Sequence, residues 1–463
     1  MRGGAPILTV AAMRAAEQGM FDARTPEYAL MERAGAAAAE IIWRAGARRD
    51  TLVLCGPGNN GGDGYVIARI LRARGLSVRV AATGEPSTQS ARQARSGWGG
   101  PVEDVMTAAP ATQLVDALFG TGLSRGLDAV LAARLCHLAA TASATYAVDV
   151  PSGVDTDSGA LLSDVPRIGL CIALGAFKPA HLLQPAADLI GRLVCADIGI
   201  AAGSPIRLLP PPHLAAPGGA DHKYSRGLVC VVGGSMAGAS LLAAQAAARS
   251  GAGMVRRLAA DMLQHGADAI VTQQAATGDI AALLNDDRIA ALLVGPGLGR
   301  DDAAAARLDQ ALGSRRPLVL DADALTIIGH RGADHIPAGS ILTPHEGEFL
   351  RLFGTLPGSK IDRALAAAAR SRSVIIHKGA DTVIAAPDGR ALIAGRSSSW
   401  LSTAGTGDVL AGLVAGRLAV TADPFRAAAE AVWLHGDAAR RAGAAFVADD
   451  LLAALSQAIA ARL

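Results

Sequence analysis

The apolar positions along this chain follow two rhythms. From residue 9 to residue 49, Ala, Met and Leu recur at helical spacing with charges between them, which predicts two helices. From Thr51 the rhythm changes to short, valine-rich apolar runs that each end in glycine or a small polar residue: TLVLCG, LSVRVAA, QLVDALFG, TYAVDVPSG, IGLCIALG and RLVCADIG. Helix-forming stretches separate most of them. Strands that alternate with helices need crossover connections, and these are almost always right-handed, so a doubly wound parallel sheet with helices on both faces is expected. LLPPPHLAAPGGADHKY, lying between 201 and 224, breaks the pattern, because three consecutive prolines and a glycine pair exclude helix and inner strand alike. The boundary is placed there, giving domains of 1–205 and 210–463. A second strand series then runs through RGLVCVVGG, ALLVGPG, PLVLDAD, SILTPH, SVIIHKG and TVIAAP, with alanine-rich helices between, and the chain finishes in helices from Gly407 onward.

Composition agrees with two α/β domains. The chain has 463 residues, too many for one ordinary core, and 51% are hydrophobic while only 3% are aromatic, so Ala, Val, Leu and Ile must fill the interior. With 43 basic and 41 acidic residues the net charge is +2, and the arginines are scattered. That leaves no electrostatic footprint for nucleic acid or an anionic membrane; an anionic ligand must be met locally. The five cysteines, Cys55, Cys136, Cys171, Cys195 and Cys230, have no CxxC spacing and read as reduced structural residues. No apolar run spans a bilayer and no signal-type N-terminus is present, so the expected address is the cytoplasm.

After the first strand comes GPGNNGGDG at 56–64, five glycines in nine residues at a strand-to-helix junction. There the backbone can approach an anion and amides can hold phosphate. The spacing is not the dinucleotide fingerprint, and Asn59, Asn60 and Asp63 suggest ligand or cation contacts; a tight turn is the plainer alternative. Two further strand ends carry similar residues: VDALFGTGLSR, with Asp116, and AVDVPSGVD, with Asp149, Ser152 and Asp155. Convergence of the three would give Asn60, Asp116 and Ser152 as oxygen ligands of a monovalent cation, with Asp149 free for proton transfer.

LMERAG, GPGNNGGDG, DALFGTGLSR, VDVPSGVD and GAFKPAHL, in that order, resemble the epimerase domain of the bifunctional NAD(P)H-hydrate repair enzymes. The resemblance implies a Rossmann-like domain that interconverts the R and S epimers of a nicotinamide ring hydroxylated at carbon six. It implies nucleotide contacts from Asn59, Asn60, Gly61, Gly62 and Asp63, from Gly120, Thr121, Gly122, Leu123, Ser124, Arg125 and Gly126, and from Asp149. It also implies potassium (K+) on Asn60, Asp116 and Ser152, with Asp149 as the acid/base group. Lys178 in GAFKPAHL is left between a phosphate or hydroxyl partner and a solvated surface group.

In the second half STAGTGDVLAG, at 402–412, leads small residues and glycines into a helix whose first turn holds Asp408. Free amides at such a helix start form an anion hole, and Asp408 is placed to take the proton of an attacking hydroxyl. A helix cap with loop glycines is the structural alternative. The motif resembles the anion-hole signature of the ribokinase superfamily. With GGSMAGAS, GPGLG, DADAL, TPHEGE and HKGADT it resembles the ADP- or ATP-dependent NAD(P)H-hydrate dehydratases of a ribokinase-like fold.

That resemblance implies phosphorylation of the ring hydroxyl by ADP, giving AMP, followed by loss of phosphate and recovery of NAD(P)H. It implies that Ala239, Gly297, Gly299, His345 and Asp408 meet NAD(P)HX, the hydrated cofactor. It places the adenine nucleotide on Lys378, Gly379, Ala380, Asp381 and Thr382, with Gly407 at its phosphate side. Mg2+ accompanies the nucleotide; Glu346 and Glu348 are weighed for it without assignment, and HExE is not the zinc spacing HExxH. A homo-oligomer is expected. A vitamin or sugar kinase carrying a nucleotide-sensing module, and a binding role for the first domain, remain the alternatives.

Overall fold

A computed structural model describes residues 4–46, 49–123, 125–201, 203–260 and 267–463. The chain divides into two compact units, Met1–Arg207 and Leu208–Leu463.

In the first unit the described strands are β1 (Thr51–Cys55), β2 (Val78–Ala82), β3 (Val102–Asp104), β4 (Gln113–Ala117), β5 (Ala144–Val148), β6 (Ile168–Leu174) and β7 (Ile190–Ala196). They form one parallel sheet in the order β3-β2-β1-β4-β5-β6-β7. Every residue of β1 and β4 is buried, as strands covered on both faces require. Strand order reverses between β1 and β4, so the loops leaving those two strands part and open a crevice at their carboxyl ends. The two expected N-terminal helices are Val10–Asp22 and Glu27–Ala45. The second buries Leu30, Met31, Ala34, Ala38 and Ile42 in a core shared with Val53, Val66 and Val115. The short strand β3 was not expected: VED offers three residues, two of them charged.

A short strand β8 (Ile206–Leu208) lies where the chain passes between the units. The second unit contains β9 (Leu228–Val232), β10 (Met254–Ala259), β11 (Ile270–Gln274), β12 (Ile289–Val294), β13 (Leu318–Leu320), β14 (Ile341–Leu342), β15 (Val374–His377), β16 (Val383–Ala385) and β17 (Ala391–Ile393). Their order is β11-β10-β9-β12-β13-β14-β15-β16-β17. Pairing is parallel from β11 to β15, and β16 and β17 then add an antiparallel hairpin. The helices Ala237–Ala248 and Thr406–Thr421 share one alanine- and valine-rich core with this sheet. Three helices, Thr406–Thr421, Pro424–Ala442 and Ala448–Ala460, close the chain as the sequence predicts. Among the described residues no helix is long and apolar enough to cross a membrane, and all five cysteines are free.

Candidate active sites

In the first unit the candidate residues gather at the carboxyl ends of β1, β4 and β5. A Cβ on Gly56 would sit 1.7 Å from the Leu118 carbonyl oxygen, so only glycine lets the β1 and β4 loops approach so closely. The helix Asn59–Ala73 starts at Gly58 with no side-chain cap, which leaves its first N–H groups facing the crevice without a partner from the capping position. The Asn59 side chain is otherwise engaged: its amide donates to Glu27 at 2.9 Å and its oxygen accepts from Thr88 at 2.6 Å. What Asn59 offers a ligand is therefore its backbone.

Asn60 reaches the opposite loop. Its Oδ1 and the Oδ2 of Asp149 lie 3.1 and 3.3 Å from the point a Gly120 Cβ would occupy, and its Nδ2 is buried with no hydrogen-bond partner. Asp116 is buried and accepts the Ser152 hydroxyl at 2.6 Å and the Ser152 and Leu118 amides at 2.9 and 3.2 Å. Burial raises its carboxyl's pKa although the bonds from Ser152 oppose this. Asp116 and Ser152 are thus in direct contact, while Asn60 stands with Gly120 and Asp149. Gly120 to Leu123 form a turn closed by a 3.3 Å bond; Arg125 is exposed, and Gly126 lies against the Leu162 carbonyl. Ser124 lies outside the described residues.

The expectation that Asp149 stands free is corrected. Its Oδ1 is paired with the Lys178 ammonium, and Lys178, far from being a solvated surface lysine, is fully buried. Asp149 also holds φ at +67°, a region costly for a side-chain-bearing residue. Two more carboxyls face this pair. Burial, reinforced by Asp149, raises the pKa of Glu17 and holds that of Asp63 well above the ordinary carboxylate range.

In the second unit the strand ends again converge. Gly297, at φ +65°, brings its backbone so close to the Met236 carbonyl that a Cβ would lie 2.0 Å away, with Ala239 just beyond. Gly299 donates its N–H to Asp323 at 3.0 Å. The helix Thr406–Thr421 opens at Gly405, φ +87°, without a side-chain cap, so the N–H groups of its first turn form an open anion site around Gly407 and Asp408. Thr406 anchors this start: its hydroxyl donates to the Leu401 carbonyl at 2.8 Å, and the Thr406 carbonyl accepts from the buried, neutral His435 at 3.0 Å. Burial and the neighbouring Asp321 push the Asp408 carboxyl up to about 7, against the pull of Lys378.

Lys378 lies beside this helix start. Its ammonium is 2.8 Å from Asp321, 3.8 Å from Glu348 and 3.7 Å from the Cβ position of Gly407. Burial lowers its pKa, but Asp321 and Glu348 outweigh that and the net shift is upward. Asp381 pairs with Lys360 at 2.5 Å, and Gly379 and Thr382 close a small turn at 2.8 Å. His345 caps the helix Glu346–Phe353: its Nδ1 accepts from the Gly347 amide at 3.0 Å, while its Nε2 lies 3.6 Å from the Glu348 carboxylate. Glu346 is drawn to Arg363 and His377, at 2.5 and 2.8 Å.

Comparison with known proteins decides the family. Residues 27–180 match the YjeF-related protein N-terminus model and residues 229–461 the NAD(P)H-hydrate dehydratase model. The chain is 36% identical to a bifunctional NAD(P)H-hydrate repair enzyme of Salinibacter ruber, over 96% of this chain and 95% of that protein. It belongs to the bifunctional NAD(P)H-hydrate repair enzymes. A Thermosynechococcus vestitus member is 35% identical over 94% of this chain and 93% of its own length. An ADP/ATP-dependent NAD(P)H-hydrate dehydratase structure from Bacillus subtilis is 29% identical, covering 54% of this chain and 95% of that one, with a TM-score of 0.48.

Within this repair-enzyme chain, two residues that the fold brings to the sites, Asp321 and Glu17, were not singled out by sequence reasoning. Asp321 falls inside DADAL, a motif that assigns it no role by itself; the structure makes it the partner of Lys378 and an electrostatic neighbour of Asp408. Its position at the end of a buried strand was the available signal. Glu17, on the first helix, carried none. Among the described residues no three His, Cys, Asp or Glu side chains are grouped for a metal. Asn60, Asp116 and Ser152 each carry an oxygen of the kind a monovalent cation takes as a ligand, and of these Asp116 and Ser152 are in direct contact.

Proposed function

We propose that the chain restores hydrated NADH and NADPH in two reactions, epimer exchange in the first unit and ADP-dependent dehydration in the second. The observation that carries the reading is Asp408: a carboxyl pushed up to about 7, in the first turn of an uncapped helix, within the field of Lys378.

In dehydration Asp408 takes the proton of the ring hydroxyl as the oxygen attacks the β-phosphorus of ADP. The bond to the AMP oxygen breaks, AMP leaves, and the unpaired N–H groups around Gly407 hold the phosphoryl oxygens. Lys378 adds a positive charge at the same end. Phosphate then departs with the carbon–oxygen electron pair, a proton leaves the adjacent ring carbon, and the ring double bond returns. Magnesium, brought with the nucleotide and keeping most of its waters, supplies further charge neutralisation when bound. Ala239, Gly297, Gly299 and the Nε2 of His345 line the hydrated-nucleotide side, and Lys378 to Thr382 the adenine-nucleotide side.

In epimer exchange the Oδ2 of Asp149 moves the proton as hydroxide leaves and water returns at the aminal carbon. The amides that follow Gly58, the Gly120 to Leu123 turn, and Arg125 and Gly126 hold the nucleotide phosphates. Asn60, Asp116 and Ser152 are the proposed potassium ligands; potassium there would neutralise a phosphate beside the reacting ring. The five free cysteines, three of them buried, support a reducing compartment, the cytoplasm.

The test separates the two sites. Asp408→Asn should abolish ADP-dependent recovery of the reduced nicotinamide while the epimers still exchange. Asp149→Asn should leave only the S epimer recoverable. Loss of both reactions in either variant would contradict the assignment.

A further inference from the structure

Behind Asp149 the fold builds a buried brace, and we infer that His181 and Lys178 position that carboxylate for epimer exchange. The inference rests on the reading of Asp149 as the group that meets the hydroxylated ring.

Asp149 leaves β5 with φ at +67°, a conformation strained for a residue with a side chain, so neighbours must over-determine it. Its N–H donates to Ile172 at 2.8 Å. Its carbonyl accepts from the His181 Nε2–H at 2.6 Å and from the Cys171 thiol at 3.4 Å. The tautomer of His181 follows from its other nitrogen: Nδ1 accepts the Lys178 backbone N–H at 2.9 Å, so the proton sits on Nε2. Burial, helped by the Lys178 charge, lowers the ring's pKa to about 4, and the ring is neutral.

One imidazole therefore ties the backbone of Asp149, after β5, to that of Lys178, after β6. The side chains repeat the link. Lys178 donates to Asp149 Oδ1 and, at 2.7 Å, to the Leu174 carbonyl, while the Leu174 N–H donates to the same Oδ1 at 3.2 Å. Oδ1 is saturated, and Oδ2 is the oxygen left beside Gly120 and Asn60. Lys178 is 0% exposed and His181 3%. Neither meets a bound nucleotide; both act through Asp149.

Glutamine and asparagine separate the two bonds of His181, because a Gln amide nitrogen overlays Nε2 and an Asn oxygen overlays Nδ1. The full chain is assayed for R-to-S exchange without ADP, and for S-epimer dehydration as an internal control. His181→Phe and His181→Asn should lower kcat for exchange on the order of 10- to 100-fold with KM held, and His181→Gln should restore most of it. Lys178→Met should lower kcat in the same way. Dehydration of the S epimer should stay at the wild-type rate throughout. If Asp149→Asn abolishes exchange while His181→Phe and His181→Asn exchange at the wild-type rate, the brace is refuted. It is equally refuted if His181→Gln falls with the others, or if every loss tracks a matching fall in thermal stability. If Asp149→Asn itself exchanges normally, the reading of Asp149 fails first.

Discussion

Asp408 binds its proton near neutrality because burial and Asp321 disfavour the charged form more than Lys378 favours it. As a general base it works only when ionised, so kcat/KM for dehydration, which reports the free enzyme, should climb with pH through about 7. Asp408→Asn should lose on the order of 10²- to 10⁴-fold in rate and flatten that limb. The same shift acts on stability with a definite sign. Between the ordinary value of 3.8 and about 7 the folded chain keeps a proton that the unfolded chain has released. Wild-type stability should therefore fall, relative to Asp408→Asn, as pH rises through that window and level off above it. Melting curves of both proteins across that range test this; a constant difference would contradict it. Asp408 was legible from GTGD alone because a helix start and its amides are local. Its partner Asp321 was not, since 87 residues separate them and only the sheet brings β13 beside that helix.

At the scale of elements, a glycine of the STAGTGDVLAG segment serves helix packing. A Cβ on Gly412 would lie 2.0 Å from the Ala243 carbonyl, where the helices Thr406–Thr421 and Ala237–Ala248 touch backbone to backbone. Gly412→Ala must separate them, and should cost about 1–3 kcal/mol in denaturant unfolding. Dehydration should suffer with it, because the displaced helix carries Asp408. An unshifted midpoint would show that the contact yields without cost. Strands with unbroken apolar runs, such as β1, β9 and β12, were readable from sequence. β10 was not, because MVRRLA puts two arginines in a strand; the fold accepts them by pairing Arg256 with Asp286 at 2.9 Å and Arg257 with Ser240 at 3.0 Å. The β16–β17 hairpin was half seen: TVIAAP read as a strand, but ALI is too short to announce the partner that turns the edge antiparallel.

At the scale of the whole molecule, two α/β units each gather their chemistry at the carboxyl ends of parallel strands, and the chain's near-neutral charge leaves anion binding to those local sites. If each unit completes its own reaction, Asp149→Asn and Asp408→Asn mixed together should repair both epimers, which neither variant does alone. No recovery from the mixture would mean that the reactions depend on one intact chain. Most direct is an assay of the purified protein with both epimers of hydrated NADH, ADP, magnesium and potassium, following reduced-nicotinamide absorbance against AMP and phosphate release. Full recovery from both epimers, matched by equal AMP and phosphate, is the predicted result. A stable phosphorylated product with no return of absorbance would contradict it.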